Sequence, residues 1–384
     1  MPVGNASNNA WEIRRYGEVN TYDGKEGVDS LSFERLPRSY FTITQNADGS
    51  VNVDSVSGAS ALYKLKLVSV ELLYFSFGSV VVDLRTAFNT TDQPSVISGT
   101  AGDDELLGTS RADSISGLAG NDSISGAGGN DTLNGGDGAD TVVFQGPLRD
   151  YKVSAGAEVL VVTDSVAGRD GTDILQNVEY LRFTDFEINT SVKAIASSVG
   201  MVTLARVIEL YVAFFNRIPD ANGLAYWLTQ ARAGTSINAI ADTFYAAGVQ
   251  YSSLTGFTAT MTNADFVNLV YRNVLGRKDG ADSDGLAYWT AELASGRSTR
   301  GNLVSSILDS AHTFKGQAAF GFVADLLDNK IVVAKQIAVD WGLNYLSADT
   351  SITKGMGIAA AVTPTDTSAA IALVGLSPSN ITLG

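Results

Sequence analysis

"GTAGDDELLGTSRADSISGLAGNDSISGAGGNDTLNGGDGADTVV" (Gly99–Val143) divides without remainder into five nonapeptides, and that register decides how the chain is read. Position six is aspartate in every copy: Asp104, Asp113, Asp122, Asp131 and Asp140. Position eight is aliphatic in every copy: Leu106, Ile115, Ile124, Leu133 and Val142. Glycine holds position one throughout and position four in all copies but the second, where Arg111 stands. Glycine at fixed steps permits tight turns, whereas a linker has no reason to keep an aliphatic residue in phase. The spacing predicts coils of two nonapeptides, each a turn followed by a short strand whose aliphatic side chain points inward. Stacking at the strand spacing of about 4.8 Å puts Asp104 over Asp122, Asp122 over Asp140, and Asp113 over Asp131.

Stacked carboxylates repel one another unless a cation lies between them. Calcium–oxygen bonds of about 2.4 Å let an ion between loops reach carboxylates and carbonyls above and below. The candidate metal ligands are therefore the five aspartates and the turn positions beside them. Those are Gly99, Gly117, Gly126 and Gly135 at position one, Gly102, Gly120, Gly129 and Gly138 at position four, and Asn121 and Asn130 at position five. Arg111 makes the Asp113–Asp131 level the weakest. Such a metal is expected to be part of the fold rather than an addition to it. The stretch resembles the RTX (repeats-in-toxin) calcium-binding β-roll. The resemblance implies calcium as the bound ion and a capping segment after the last repeat.

Around the repeats the chain looks duplicated. "DSLSF" (29–33) matches "DTVVF" (140–144), "NVDSVSG" (52–58) matches "VTDSVAG" (162–168), and "VELLYF" (70–75) matches "VEYLRF" (178–183). Even "GKEGVDSLS" (24–32) fits one repeat, although a lone copy leaves Asp29 without a stacked partner and reads as a relic.

Beyond Ser198 the period changes from two to 3.6. Val207, Leu210, Tyr211, Phe214 and Phe215 form one helical stripe, and Phe266, Leu269, Val270 and Val274 form another. "GLAYW" occurs at 223–227 and again at 285–289, each time after an Asp/Asn/Gly-rich loop. This resembles a repeated helical domain of unassigned activity that often follows RTX repeats in exported bacterial proteins. Asp279, Asp282 and Asp284 look like part of a calcium loop, but no glutamate stands where a helix–loop–helix site needs its bidentate ligand. N-capping by Asp220 or Asn222, and by Asp282 or Asp284, explains the same residues. Trp227 and Trp289, at helical spacing, read as core more readily than as sugar platforms. The segment 320–346 reads as one more helix, and the last eighteen residues carry no charge. Beside RTX repeats, that tail looks like an uncleaved type I export signal.

The expected architecture is multi-domain α+β. It comprises an N-terminal β domain (1–95), a calcium β-roll with capping strands (96–192), an all-α domain with an internal duplication (199–318), and a C-terminal helix and tail (319–384). The 384 residues carry a net charge of −15, which opposes nucleic-acid binding and suits solubility or divalent cations. No stretch reaches the roughly 20 apolar residues of a membrane helix, and no apolar core near residue 1 suggests a signal peptide. The chain has no cysteine and one histidine, His312, so disulfides, a cysteine nucleophile and an H-E-x-x-H zinc site are excluded, and no G-x-S-x-G elbow occurs. His312 reads as an ordinary helix residue.

These features lead to the expectation of a non-enzymatic calcium-binding protein that leaves the cell through a type I channel and folds on extracellular calcium. It would then assemble as an oligomer or two-dimensional lattice on the surface of a Gram-negative bacterium. RTX-type surface-layer proteins resemble it in being acidic and free of cysteine. The alternative is an adhesin or biofilm protein that binds a polysaccharide, with Trp11, Arg14, Arg15, Arg35 and Arg38 as candidate contacts. A carboxylate-based polysaccharide-modifying enzyme is the third reading.

Overall fold

Strand side chains alternate between two faces, so an inward position eight carries position six inward with it. Each nonapeptide must therefore bury its aspartate beside its aliphatic residue. The computed structural model of the chain has this arrangement. It describes residues 10–12, 19–23, 30–33, 41–45, 50–55, 64–68, 70, 72–75, 80–83, 95–156 and 158–383. The proposed relic Asp29 and the candidate contacts Arg14, Arg15, Arg35 and Arg38 lie outside the described residues, as does the side chain of Trp11.

Odd-numbered repeats supply one wall of the roll. Glu105–Leu107, Ser123–Ser125 and Thr141–Val143 pair in parallel, with Leu106 opposite Ile124 and Ile124 opposite Val142. Even-numbered repeats supply the other, where Asp113–Ala119 pairs with Thr132–Asp137 and Ile115 faces Leu133. Ser95–Ser98 extends this wall on one side, and Thr172–Gln176 on the other. Between the walls, Leu106, Ile115, Ile124, Leu133 and Val142 are buried, as are Ile97, Leu175 and Leu181.

The strand order around the roll repeats. Ser30–Phe33 pairs in parallel with Leu72–Phe75, as Thr141–Val143 does with Tyr180–Arg182. Phe41–Gln45, Val51–Ser55 and Lys64–Val68 form an antiparallel meander whose counterpart is Tyr151–Ala155, Leu160–Asp164 and Thr172–Gln176. The register differs from the sequence match by one residue. Val53 pairs with Ile43 and Leu65, as Val162 does with Val153 and Asp173, so Val53 and not Asn52 is the equivalent of Val162. A one-residue slip would turn Val53, now fully buried, to the opposite face.

The two β units are not separate domains. Val80–Asp83 pairs in parallel with Glu105–Leu107 and joins both to one sheet. The chain divides into two compact units between Thr184 and Asp185 rather than near residues 96 and 192.

In the second unit the helical duplication appears as two trios. Met201–Phe215, Ala221–Arg232 and Ile237–Gln250 form the first, and Asn263–Leu275, Ser283–Ala294 and Arg300–His312 the second. Residues 320–346 are not one helix. Gly321–Ala334 is α-helical, Lys335–Asp340 widens into a π turn, and Leu343–Tyr345 is a strand paired with Phe186–Asn189. Gly342, at φ +62°, makes the reversal between helix and strand. The uncharged segment is packed rather than loose: Ser368–Ala372 is helical, and Ala370, Val374 and Leu376 are buried. No single helix among the described residues is long and apolar enough to cross a membrane.

Candidate metal centre

The five repeat aspartates are between 0% and 5% exposed, a burial that an isolated carboxylate tolerates poorly. One oxygen of each stacked carboxylate is satisfied by the coil before it. The Asp104 N–H donates to Asp122 Oδ1, Asp122 N–H to Asp140 Oδ1, and Asp113 N–H to Asp131 Oδ1, each at 2.8 Å. The ladder continues past the repeats, where Asp131 N–H donates to Asp173 Oδ1 and Asp140 N–H to Glu179 Oε2, both at 2.9 Å.

The second oxygen separates the repeats into two kinds. In the first two, position two is threonine. Thr100 donates to Asp104 Oδ2 through its N–H at 2.5 Å and its hydroxyl at 3.0 Å, and Thr109 does the same for Asp113 Oδ2 at 2.6 and 3.0 Å. In the other three, position two is Leu118, Ala127 or Gly136. There Oδ2 of Asp122, Asp131 and Asp140 is buried with no hydrogen-bond partner.

The turns bring carbonyl oxygens to the same place. A Cβ on Gly117 would collide with Asp122 Oδ2 and with the Gly135 carbonyl, and one on Gly126 with Asp131 Oδ2. The close approach is why position one is glycine. Gly120, Gly129 and Gly138 at position four have φ of +116°, +123° and +148° and lie against the backbone of the coil before. Gly99 abuts Asp104 Oδ2 and the Gly117 carbonyl, whereas Gly102 is exposed with little around it and lacks a positive φ. Asn121 Oδ1 accepts from Ala139 N–H at 2.9 Å and Asn130 Oδ1 from Thr172 N–H at 2.8 Å, so both asparagine side chains brace the stack.

This carboxylate stack is electrostatically costly as it stands. Burial pushes the Asp131 carboxyl up to about 8, with Asp173 and Asp113 adding repulsion, and burial pushes Asp173 up to about 7. Asp122 is raised by burial and by the charges of Asp140, Asp104 and Asp103, and Asp140 by burial and Asp137. Among the described residues no three acidic or histidine side chains converge. A metal held here must complete its shell with backbone carbonyls, which suits a hard cation that accepts oxygen ligands of mixed kind. Unpartnered carboxylate oxygens beside turn carbonyls fit calcium. At the Arg111 level, Gly129 packs against the Arg111 carbonyl, so the substitution leaves the stack intact.

Asp173 and Glu179 were not among the residues expected at the site. Their signal was present: Gly168–Gln176, "GRDGTDILQ", keeps glycine at positions one and four, aspartate at six and leucine at eight. The hairpin inserted after Phe144 hides that register.

The helical loops have another role. Asp220 and Asp282 cap helices, accepting from Gly223 N–H at 2.8 Å and Gly285 N–H at 2.9 Å. Each also pairs with an arginine, Arg217 at 3.0 Å and Arg277 at 2.7 Å, whose guanidinium lies over Tyr211 or Tyr271. Trp289 donates through its indole N–H to the Tyr271 hydroxyl at 3.0 Å, and the Trp227 ring packs edge-on against Phe244. Asp282 is thus occupied as a cap, and Asp279 and Asp284 do not converge with it into a metal group. Asn222 is not a cap but bonds Asn189 and Asn344. His312 contacts Glu209 and, at 3.7 Å, Asp328.

Residues 107–142 match the family described as RTX calcium-binding nonapeptide repeat (4 copies), and residues 253–316 match a domain of unknown function, DUF4214. No curated protein matches the chain. Among solved structures, the extracellular lipase LipA from Serratia marcescens aligns at 14% identity over 46% of this chain, with a TM-score of 0.14. The aligned part spans 37% of that lipase chain.

Proposed function

We propose that this RTX-type, calcium-binding chain is a secreted structural protein that folds on extracellular calcium and assembles on the cell surface, without catalytic activity of its own. The observation that carries the reading is the row of unpartnered oxygens on Asp122, Asp131 and Asp140, buried between coils. It makes order in the roll depend on a cation. Extracellular calcium modules bind at about 10⁻⁴ to 10⁻³ M, so the roll stays open where calcium is scarce. An open chain suits passage through a type I channel, and millimolar calcium outside closes it. Support for assembly comes from composition and from tandem duplication in both units, which presents similar surfaces twice along one chain. Electron microscopy of protein given millimolar calcium should show sheets or tubes that chelator dissolves; monodisperse particles under both conditions would refute assembly.

A second reading has its own observation. A cleft of about 280 Å³ in the second unit is lined by Arg217, Asp220, Asn222, Asn344 and Tyr345, a mixture of hydrogen-bonding and aromatic groups suited to a sugar. In that case the chain is a surface adhesin. Binding to glycan arrays without sheet formation would favour it.

A further inference from the structure

We propose that the helix Ser283–Ala294 is a self-association surface, packing antiparallel on the same helix of a second copy of this chain about a two-fold axis. The inference rests on the assembly reading and names a contact that assembly would use. Within the second unit the two trios meet like to like. Met201–Phe215 packs on Asn263–Leu275, and Ile237–Gln250 on Arg300–His312, where Thr299 donates to Asp242 at 2.6 Å and Arg300 to the Tyr245 hydroxyl. Pairing of equivalent helices is the signature of a two-fold relation. The surface around Ser283–Ala294 is therefore the counterpart of the surface around Ala221–Arg232.

In the first trio that surface is covered. The helix Val192–Val199 lies on Ala221–Arg232, with Val192 and Ile195 against Ala221 and Ala225. The strands Phe186–Asn189 and Leu343–Tyr345 also touch it, and the Ser351 hydroxyl reaches Asp220 Oδ2 at 2.8 Å. Ala221, Leu224, Ala225 and Leu228 are buried as a result. By the register of the two GLAYW segments their equivalents are Ser283, Leu286, Ala287 and Thr290, and no residue of Ser283–Ala294 is buried. The principal neighbours of that helix are Asn263–Leu275 and Arg300–His312, both in its own trio. Its capping aspartate shows the same difference, since the Asp282 side chain is 50% exposed and that of Asp220 20%. Ser283 and Thr290, in place of Ala221 and Leu228, make the face wettable, as suits a contact between molecules that fold separately.

Shape and charge select a second copy as the occupant. Ala287, Ala291 and Ala294 are exposed along one side of the helix and carry little bulk, so another helix can come as close as Val192–Val199 comes to Ala225. Asp284 is exposed in the first turn, and Arg297, paired with Glu292 at 2.6 Å, remains 64% exposed just past the last. Antiparallel packing centred between Thr290 and Ala291 sets Ala287 across from the partner's Ala294 and brings Asp284 towards the partner's Arg297. It also lays each helix N-terminus beside a C-terminus, the arrangement that the helix dipoles favour. The surface is thus complementary to itself, as a two-fold contact requires.

The chain has no cysteine, so Ala291→Cys places a single thiol beside the axis. Under mild oxidation in millimolar calcium, the full-length variant should form a disulfide-linked dimer several times faster than Ala233→Cys, an exposed control at the end of Ala221–Arg232. Adding Ala287→Arg, a change at an exposed position, should bring the rate down to that of the control. Equal rates for Ala291→Cys and Ala233→Cys overturn the contact. If Ala291→Cys lacks the circular dichroism of wild type, a mixture of Ala287→Cys and Ala294→Cys chains, whose thiols would face each other across the axis, decides on the same comparison. Sheets or tubes in calcium without the cross-linked dimer would sink this contact and leave assembly standing. The dimer without larger structures would keep the contact and sink the lattice.

Discussion

At the scale of the residue, position two of each repeat decides what its aspartate can do. Thr100 and Thr109 fill the second oxygen of Asp104 and Asp113, while Leu118, Ala127 and Gly136 cannot. A carboxylate already holding two donors gains less from a cation than one left bare. Asp122→Ala should therefore raise the calcium concentration at the folding midpoint severalfold, and Asp104→Ala should raise it far less. Calcium titrations followed by circular dichroism would compare them, and equal shifts would contradict the division. Gly117→Ala is expected to be at least as damaging as Asp122→Ala, since its methyl would enter the space shared by Asp122 Oδ2 and the Gly135 carbonyl. The five aspartates were legible from their period, and so was the need for a cation. The distinction among them was not, because it depends on which way a threonine hydroxyl turns inside the loop.

At the scale of the element, the helical loops separate capping from metal binding. Asp282→Ala should cost about 1 kcal/mol, and Asp220→Ala about 2, because both hold an arginine but the Asp220 pair is the more buried and Asp220 also accepts from the Ser351 hydroxyl. Neither cost should depend on calcium, which urea melts with and without chelator would check. The meeting of three helices at His312 gives a pH dependence. The Glu209 carboxylate, accepting from the ring, raises the His312 pKa, with Asp328 adding to it and Arg206 opposing it. Arg206 in turn pairs with Glu209 at 3.0 Å and with Asp309. A raised folded-state value means that the contact stabilises fully below the ordinary histidine value and is lost as pH rises through the folded one. The melting advantage of wild type over His312→Gln should thus shrink as the pH rises above the ordinary histidine value; a constant advantage would argue against charge. Helix periods and caps were readable in the sequence because they are local. The break of 320–346 into helix, π turn and strand was not, since Leu343–Tyr345 takes its form from pairing with Phe186–Asn189, far away in the chain.

At the scale of the whole molecule, the two units differ in what their cores need. The helical unit buries Phe214, Phe244, Phe257 and Phe266 in an ordinary apolar interior. The β unit places carboxylates among its aliphatic residues, so calcium must offset their burial. With ligand at about ten times its dissociation constant, each site adds about 1.4 kcal/mol to stability. One such site for each of the three unpartnered aspartates would contribute about 4 kcal/mol in all, close to the lower end of the roughly 5–15 kcal/mol that holds a typical domain together. The ion is therefore expected to decide whether the β unit folds, and the helical unit, with no carboxylate stack in its core, is expected to show no such dependence. Scanning calorimetry should show two transitions in millimolar calcium. Chelator should abolish or greatly lower one of them and leave the other, together with the helical dichroism, where it was. A helical transition that moves with calcium to the same extent as the β transition would mean that the two units unfold as one, and the division of labour between a calcium-dependent and a calcium-independent core would fail.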